Sequence, residues 1–120
     1  MSSKDIGKWY EILAREYIRS KGGRILDVNF RGSGGEIDII ARDGEYLSFI
    51  EVKYRRDAKY GGPEAAVSLS KQKKICKVSL FYLLCHNLSE DIPIRYDVIS
   101  ISGEKDSVSI HWDKNSFDFI

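Results

Sequence analysis

The stretch Glu36-Ile37-Asp38-Ile39-Ile40-Ala41-Arg42-Asp43-Gly44-Glu45-Tyr46-Leu47-Ser48-Phe49-Ile50-Glu51-Val52-Lys53-Tyr54-Arg55 holds two apolar-rich runs joined by Asp-Gly. Asp-Gly between such runs is among the strongest local hairpin signals, because both residues tolerate the positive φ of a tight turn. Two strands are therefore expected, Glu36 to Arg42 and Glu45 to Arg55. With Asp43-Gly44 as the two-residue turn, Arg42 faces Glu45, Ile40 faces Leu47, Asp38 faces Phe49 and Glu36 faces Glu51. Side chains alternate with period two, so Glu36, Asp38, Phe49, Glu51 and Lys53 project from one face and Ile37, Ile39, Ile50, Val52 and Tyr54 from the other. Asp38 and Glu51 then sit diagonally, with Cβ atoms about 7 Å or less apart.

Working outward, Ile6, Trp9, Tyr10, Leu13, Ala14, Tyr17 and Ile18 form an amphipathic stripe, with Ser3 able to cap the helix and Gly22-Gly23 to end it. Arg24 to Phe30 reads as a strand and Arg31 to Gly35 as an irregular glycine-rich loop. Beyond the hairpin, Asp57 to Pro63 reads as a loop, and a helix runs from about Ser70 to Asn87, capped by Ser68 or Ser70. Ile94 to Ile101 and Val108 to Trp112 complete the chain as strands. The order α-β-β-β-α-β-β predicts a single α/β domain spanning residues 1–120, a mixed five-stranded sheet flanked by helices. A strand reached through a crossover helix usually runs parallel to the one it left.

At 120 residues, 42% hydrophobic and 31% charged, the chain suits one compact core. Net charge is only +1, but residues 53–77 carry eight bases (Lys53, Arg55, Arg56, Lys59, Lys71, Lys73, Lys74, Lys77) against Asp57 and Glu64, while residues 87–120 carry seven acids against three bases. A segment this basic is the footprint expected where phosphates dock, and Tyr60, in a glycine-rich loop among those bases, is placed to stack on a base. Cys76 and Cys85 lie about 13 Å apart along one helix and cannot bridge. Two isolated histidines make no zinc site. With no cysteine framework, signal pattern or apolar run of membrane-spanning length, a cytoplasmic protein is expected.

Three carboxylates on one sheet face repel one another, and a sheet covered on both sides makes uncompensated charge costly. A hard divalent ion with oxygen ligands, Mg²⁺ or Mn²⁺, would resolve that conflict, and Lys53 in phase adds an ammonium beside any phosphate held there. Asp38, Glu51 and Lys53 are thus the expected catalytic residues.

Glu36-Ile37-Asp38 followed by Glu51-Val52-Lys53 resembles the PD-(D/E)XK motif of restriction-endonuclease-like nucleases, with Ile37 in place of the motif's proline. The runs Gly35-Glu36-Ile37-Asp38-Ile39-Ile40 and Phe49-Ile50-Glu51-Val52-Lys53-Tyr54-Arg55, with Gln72-Lys73 and Arg95-Tyr96-Asp97-Val98, are similar to the YraN-like family of small bacterial proteins, predicted to share the fold of archaeal Holliday-junction resolvases. The resemblance implies a restriction-endonuclease-like core and metal contacts from Asp38, Glu51, Glu11 and the middle residue Val52, with Glu36 and Gln72 in support. The function expected is a DNA endonuclease acting on branched or structured substrates, and because cutting two strands needs two active sites, a homodimer is expected with it. Glu11 has Arg15 at i+4, so a surface ion pair is its alternative role. Asp97 is expected to be structural, near Arg95. The alternative function is a non-catalytic nucleic-acid-binding module that partners another DNA-processing enzyme.

Overall fold

The computed structural model describes residues 2–32, 34–56 and 67–120. Seven elements follow in the expected order: α1 (Ser3–Ser20), β1 (Arg24–Gly32), β2 (Gly35–Asp43), β3 (Tyr46–Arg55), α2 (Leu69–Cys85), β4 (Ile94–Ser102) and β5 (Ser109–Phe117). The strands form one mixed sheet in the order β1-β2-β3-β4-β5. Its parallel pair is β3 with β4, the pair that α2 connects.

The helices take opposite faces. Tyr10, Ala14 and Ile18 of α1 pack on Ile39, Ala41, Ile50, Ile99, Ile101 and Trp112. Ile75, Val78, Tyr82 and Leu83 of α2 pack on Ile37, Ile40, Leu47, Phe49, Tyr96 and Val98. Each sheet face is therefore an apolar core, and charge gathers at the strand ends beyond it.

Several local expectations are revised. Ser2, not Ser3, caps α1, its hydroxyl accepting from the Asp5 N–H, while Ser68 caps α2 through the Lys71 N–H. The glycines after Phe30 do not break structure: Arg31 pairs with Glu36 and Gly32 with Gly35, closing a tight hairpin. Glycine suits the close approach of α2 there, since a Cβ on Gly32 would meet the Val78 and Phe81 side chains at 3.1 Å and one on Gly35 would meet Val78 at 3.2 Å, so those side chains would have to give by a few tenths of an ångström. The β4–β5 hairpin carries pairing as far as Phe117, beyond the expected Trp112.

The central hairpin turns at Gly44-Glu45 rather than Asp43-Gly44, so that Asp43 pairs with Tyr46, Ile40 with Phe49 and Ile39 with Ile50. Gly44 has φ +61° at the first central position, the pattern of a type II′ turn. Asp43 stays in the ladder because its carboxylate is held by Arg95 (2.7 Å) and Lys114 (2.8 Å). The pairing is displaced by two residues, an even number, which brings Asp38 and Glu51 to the positions just past the last pair, Ile39 with Ile50.

That hairpin rests on a buried network. Asp97 is fully buried and accepts hydrogen bonds from Arg95, the Ser48 hydroxyl (2.6 Å), the Trp112 indole N–H (2.9 Å) and the Asn115 backbone N–H (2.9 Å). The structural role expected of Asp97 is thus observed, with more partners than Arg95 alone.

Candidate functional site

Pairing between β2 and β3 stops at Ile39 and Ile50, although both strands continue. Where they part, the Asp38 side chain replaces the ladder: its Oδ2 accepts from the Val52 N–H at 2.8 Å. Glu51 lies beside it, with only 6% of its surface exposed. One of its oxygens, Oε2, meets the Lys71 ammonium at 3.3 Å, while Oε1 is buried without a hydrogen-bond partner. An orphaned carboxylate oxygen in such a place costs about 1–3 kcal/mol or more, and a hard cation or a proton would recover it.

The electrostatics follow from that crowding. Burial, then the neighbouring Glu51 charge, and further a side-chain hydrogen bond to Glu51 that Asp38 makes only when protonated, push the Asp38 carboxyl up to about 7, against the opposing pull of the Val52 N–H and Lys71. Burial likewise raises Glu11 of α1. The Asn29 amide donates a hydrogen bond that favours its ionised form, while Asp38 and Glu36 oppose ionisation. Glu11, Asp38 and Glu36 are thus near enough to feel one another. Among the described residues, however, no group of three aspartate, glutamate, histidine or cysteine side chains is arranged to hold a metal ion. The convergent pair is Asp38 with Glu51, and Mg²⁺ is commonly held by one or two carboxylates plus water and substrate phosphate. The residues present fit such an ion, with Glu51 Oε1 as the free donor.

Sheet alternation fails at this point. Val28 pairs with Ile39, which lies in the α1 core, and Phe30 with Ile37, which lies in the α2 core. Between them, opposite Asp38, Asn29 adopts φ +51°. A residue in the left-handed region rotates the chain out of its two-residue alternation. Ile37 consequently joins the α2 core, contrary to the expected face, and alternation from Ile37 turns Glu36 toward α1. Glu36 pairs instead with Arg31 at 3.0 Å.

The remaining expected residues are distributed as follows. Lys53 is partly buried in β3, in phase with Glu51, and its ammonium makes no hydrogen bond or ion pair among the described residues. Val52 supplies the N–H that orients Asp38. Glu11 makes no ion pair with Arg15 among the described residues; the Arg15 Nε is buried without a partner. Gln72 is turned to its own helix start, its amide donating to the Val67 carbonyl at 3.0 Å. Lys71, expected to face nucleic acid, is committed to Glu51. Arg56 pairs with Glu104 at 3.0 Å, and Arg55, Lys73, Lys74 and Lys77 are exposed. Lys59, Tyr60 and the Asp57 to Pro63 loop lie outside the described residues.

Two participants were not foreseen. Asn29 was detectable as an asparagine inside a strand-like run, the commonest non-glycine type to take positive φ. Lys71 as the counter-ion of Glu51 carried no linear signal, because the crossover alone brings the start of α2 over the end of β3.

The molecule is therefore an α/β protein whose mixed five-stranded sheet, covered by one helix on each face, gathers an acidic pair where two strands part. The chain belongs to the uncharacterised protein family UPF0102, whose sequence profile matches residues 10–101. It is 45% identical over 105 residues to a UPF0102 protein of Thermodesulfovibrio yellowstonii, covering 88% of this chain and 92% of that one. It is 39% identical over 118 residues to one of Enterobacter sp. strain 638, covering 98% and 87%. The UPF0102 protein YraN of Escherichia fergusonii is 38% identical over 118 residues, with the same coverage. No helix among the described residues is long and apolar enough to cross a membrane.

Proposed function

We propose that the chain is a metal-dependent nuclease of restriction-endonuclease-like architecture that hydrolyses phosphodiester bonds in DNA. The observation that carries this reading is the Asp38–Glu51 pair: a buried carboxylate with an orphaned oxygen beside a second whose proton affinity is raised. The PD-(D/E)XK pattern of Asp38, Glu51 and Lys53 and the YraN-like resemblance support it. Mg²⁺ or Mn²⁺ held by the pair would neutralise phosphate charge and acidify a bound water. Asp38 is kept aimed by the Val52 N–H, and Glu51 presents Oε1. The Lys53 ammonium, in phase with Glu51, donates to a non-bridging oxygen of the scissile phosphate and counters the charge that grows there. Glu11 and Glu36 border the pair from the α1 side, where they orient water. Lys71 balances Glu51 before substrate arrives, and Arg55 with the exposed lysines of α2 supplies phosphate contacts. A domain this small has little surface for reading base edges, so branched or structured DNA recognised by shape and phosphate position is the favoured substrate.

The Glu51–Lys71 ion pair, together with the lack of a third convergent carboxylate among the described residues, favours a second reading: a nucleic-acid-binding module without turnover. Labelled junction, flap and single-stranded DNA, incubated with Mg²⁺ or Mn²⁺, separates the two. Metal-dependent cleavage abolished by Asp38→Ala, Glu51→Gln or Lys53→Ala supports the nuclease. Binding indifferent to metal and to Asp38 refutes it in favour of the module.

A further inference from the structure

β3 ends on an aromatic stack. Tyr54 projects to the α1 side of the sheet, its ring lying on that of Tyr10 with centroids 4.4 Å apart and planes 15° from parallel. Tyr10 is buried and fixed: its hydroxyl donates to the Gly103 carbonyl at 2.6 Å, and Trp9 meets it edge-on. Gly7 of α1 adds a second constraint, since a Cβ there would come within 3.2 Å of the Tyr54 hydroxyl. A glycine inside a helix costs about 0.5–1 kcal/mol relative to alanine, and here it makes room for that ring. Tyr54 is thus held in one orientation, yet 42% of its surface remains in water. Because Tyr10 covers one face, the exposed part is the other face and the outer edge. A ring ordered in advance and open on one face is what a stacking platform requires, since little freedom is lost when a ligand arrives.

The position of the ring says what would stack there. Tyr54 lies three residues beyond Glu51 along β3, about 10 Å. Gly7, against which it rests, precedes Glu11 by about one helical turn, roughly 6 Å. Both rulers set the ring about two or three nucleotides from the Asp38–Glu51 pair, at about 3.4 Å for each nucleotide of a strand. Alternation along β3 puts Lys53 on the side of the strand away from Tyr54. A DNA strand that sets a phosphate beside Glu51 and Lys53 therefore reaches the ring only by swinging a base across the strand end, out of its own stack. We propose that Tyr54 is the platform on which such an unstacked nucleobase is held, a placement that rests on the hydrolytic reading for the position of the phosphate. It narrows the substrate class of that site. A base inside a duplex has both faces covered by its neighbours and offers neither to Tyr54, so DNA with an unpaired nucleotide near the cut is accepted and uninterrupted duplex is not.

Fluorescence anisotropy of the full chain in EDTA reads the ring apart from cleavage. The probes are a labelled thymidine strand of about 12 nucleotides and an abasic strand of the same length and phosphate count. Wild type is expected to bind the thymidine strand at least about fivefold more tightly, the lower end of what one stacked base contributes. Tyr54→Leu should erase that difference while leaving affinity for the abasic strand unchanged, and Tyr54→Phe, which keeps the ring, should retain it. Pairing the thymidine strand with its complement should remove the dependence on Tyr54. Equal binding of the two single strands by wild type, or a preference that survives Tyr54→Leu, overturns the proposal. Metal-dependent cleavage alongside either result leaves the hydrolytic reading standing without the platform, whereas a Tyr54-dependent base preference in a protein that cleaves nothing does the reverse.

Discussion

Replacing Asp38 by asparagine is expected to stabilise the metal-free protein at pH 8. An ordinary aspartate titrates near 3.8, whereas burial and Glu51 push Asp38 up to about 7. Between those values the folded protein binds a proton that the unfolded chain has released, so stability declines as pH rises through that window. Above about 7 the whole penalty is present, on the order of 4 kcal/mol from the two values. That is an upper limit, because water entering around the partly exposed pair recovers some of it. The asparagine side chain of the variant has no charge to confine, and its amide oxygen can still accept from the Val52 N–H. Urea unfolding at pH 5 and pH 8 should show wild type losing stability at the higher pH while Asp38→Asn does not. Adding Mn²⁺ at pH 8 should restore wild type, by binding the ionised pair in the native state only, and leave the variant unmoved. Equal stability of wild type at both pH values, or a variant weaker than wild type at pH 8, would refute the electrostatic account of the site.

Lys71→Met removes the counter-ion of a buried Glu51; because Lys71 is itself half exposed, the loss should be about 1–2 kcal/mol in chemical unfolding, and Mn²⁺ should reverse it. At Asn29, φ +51° is tolerated by glycine but strains a β-branched side chain, so Asn29→Gly should keep the backbone and lose only the side chain's hydrogen bond to Glu11, about 0.5–1.5 kcal/mol. Asn29→Val should cost about 1–3 kcal/mol by the same assay. Asp97→Ala strands Arg95 and the Trp112 N–H in the interior, and a loss of about 3–5 kcal/mol with a changed tryptophan fluorescence spectrum is expected.

The elements and their order were readable in the chain because each carries its own period: the i, i+3, i+4 stripe of α1, the apolar runs around Asp43-Gly44, the serine before α2. What the chain concealed was tertiary. Asp43 reads as a turn residue until Arg95 and Lys114, both distant in sequence, draw its carboxylate into the ladder. Glycines 32, 34 and 35 read as irregular until the close approach of Val78 and Phe81 of α2 accounts for a bare backbone at two of them. Of the candidate site, Asp38 and Glu51 emerged together because the register error was an even number. Glu36 was misplaced because period two does not continue past Asn29.

These departures share one physical origin, which also accounts for where the site lies. The Asp97–Arg95–Asp43 network fixes the turn end of β2 and β3, so their ladder is laid down from Asp43 and Tyr46 toward Ile39 and Ile50. At the far end, opposite the positive φ of Asn29, Ile37 of β2 joins the α2 core, while β3 continues in parallel pairing with β4 and no longer pairs with β2. A gap between β2 and β3 is the geometric result. Backbone donors in such a gap need acceptors, and Asp38 answers the Val52 N–H. Once one carboxylate is anchored in the gap on the Val52 N–H, Glu51, the residue before Val52, lies beside it, and the pair acquires the raised proton affinity and the orphaned oxygen that make it a candidate for a cation. Slipping the hairpin by one residue would turn Glu51 into the α1 core. The buried network some distance away is therefore what holds the acidic pair in place.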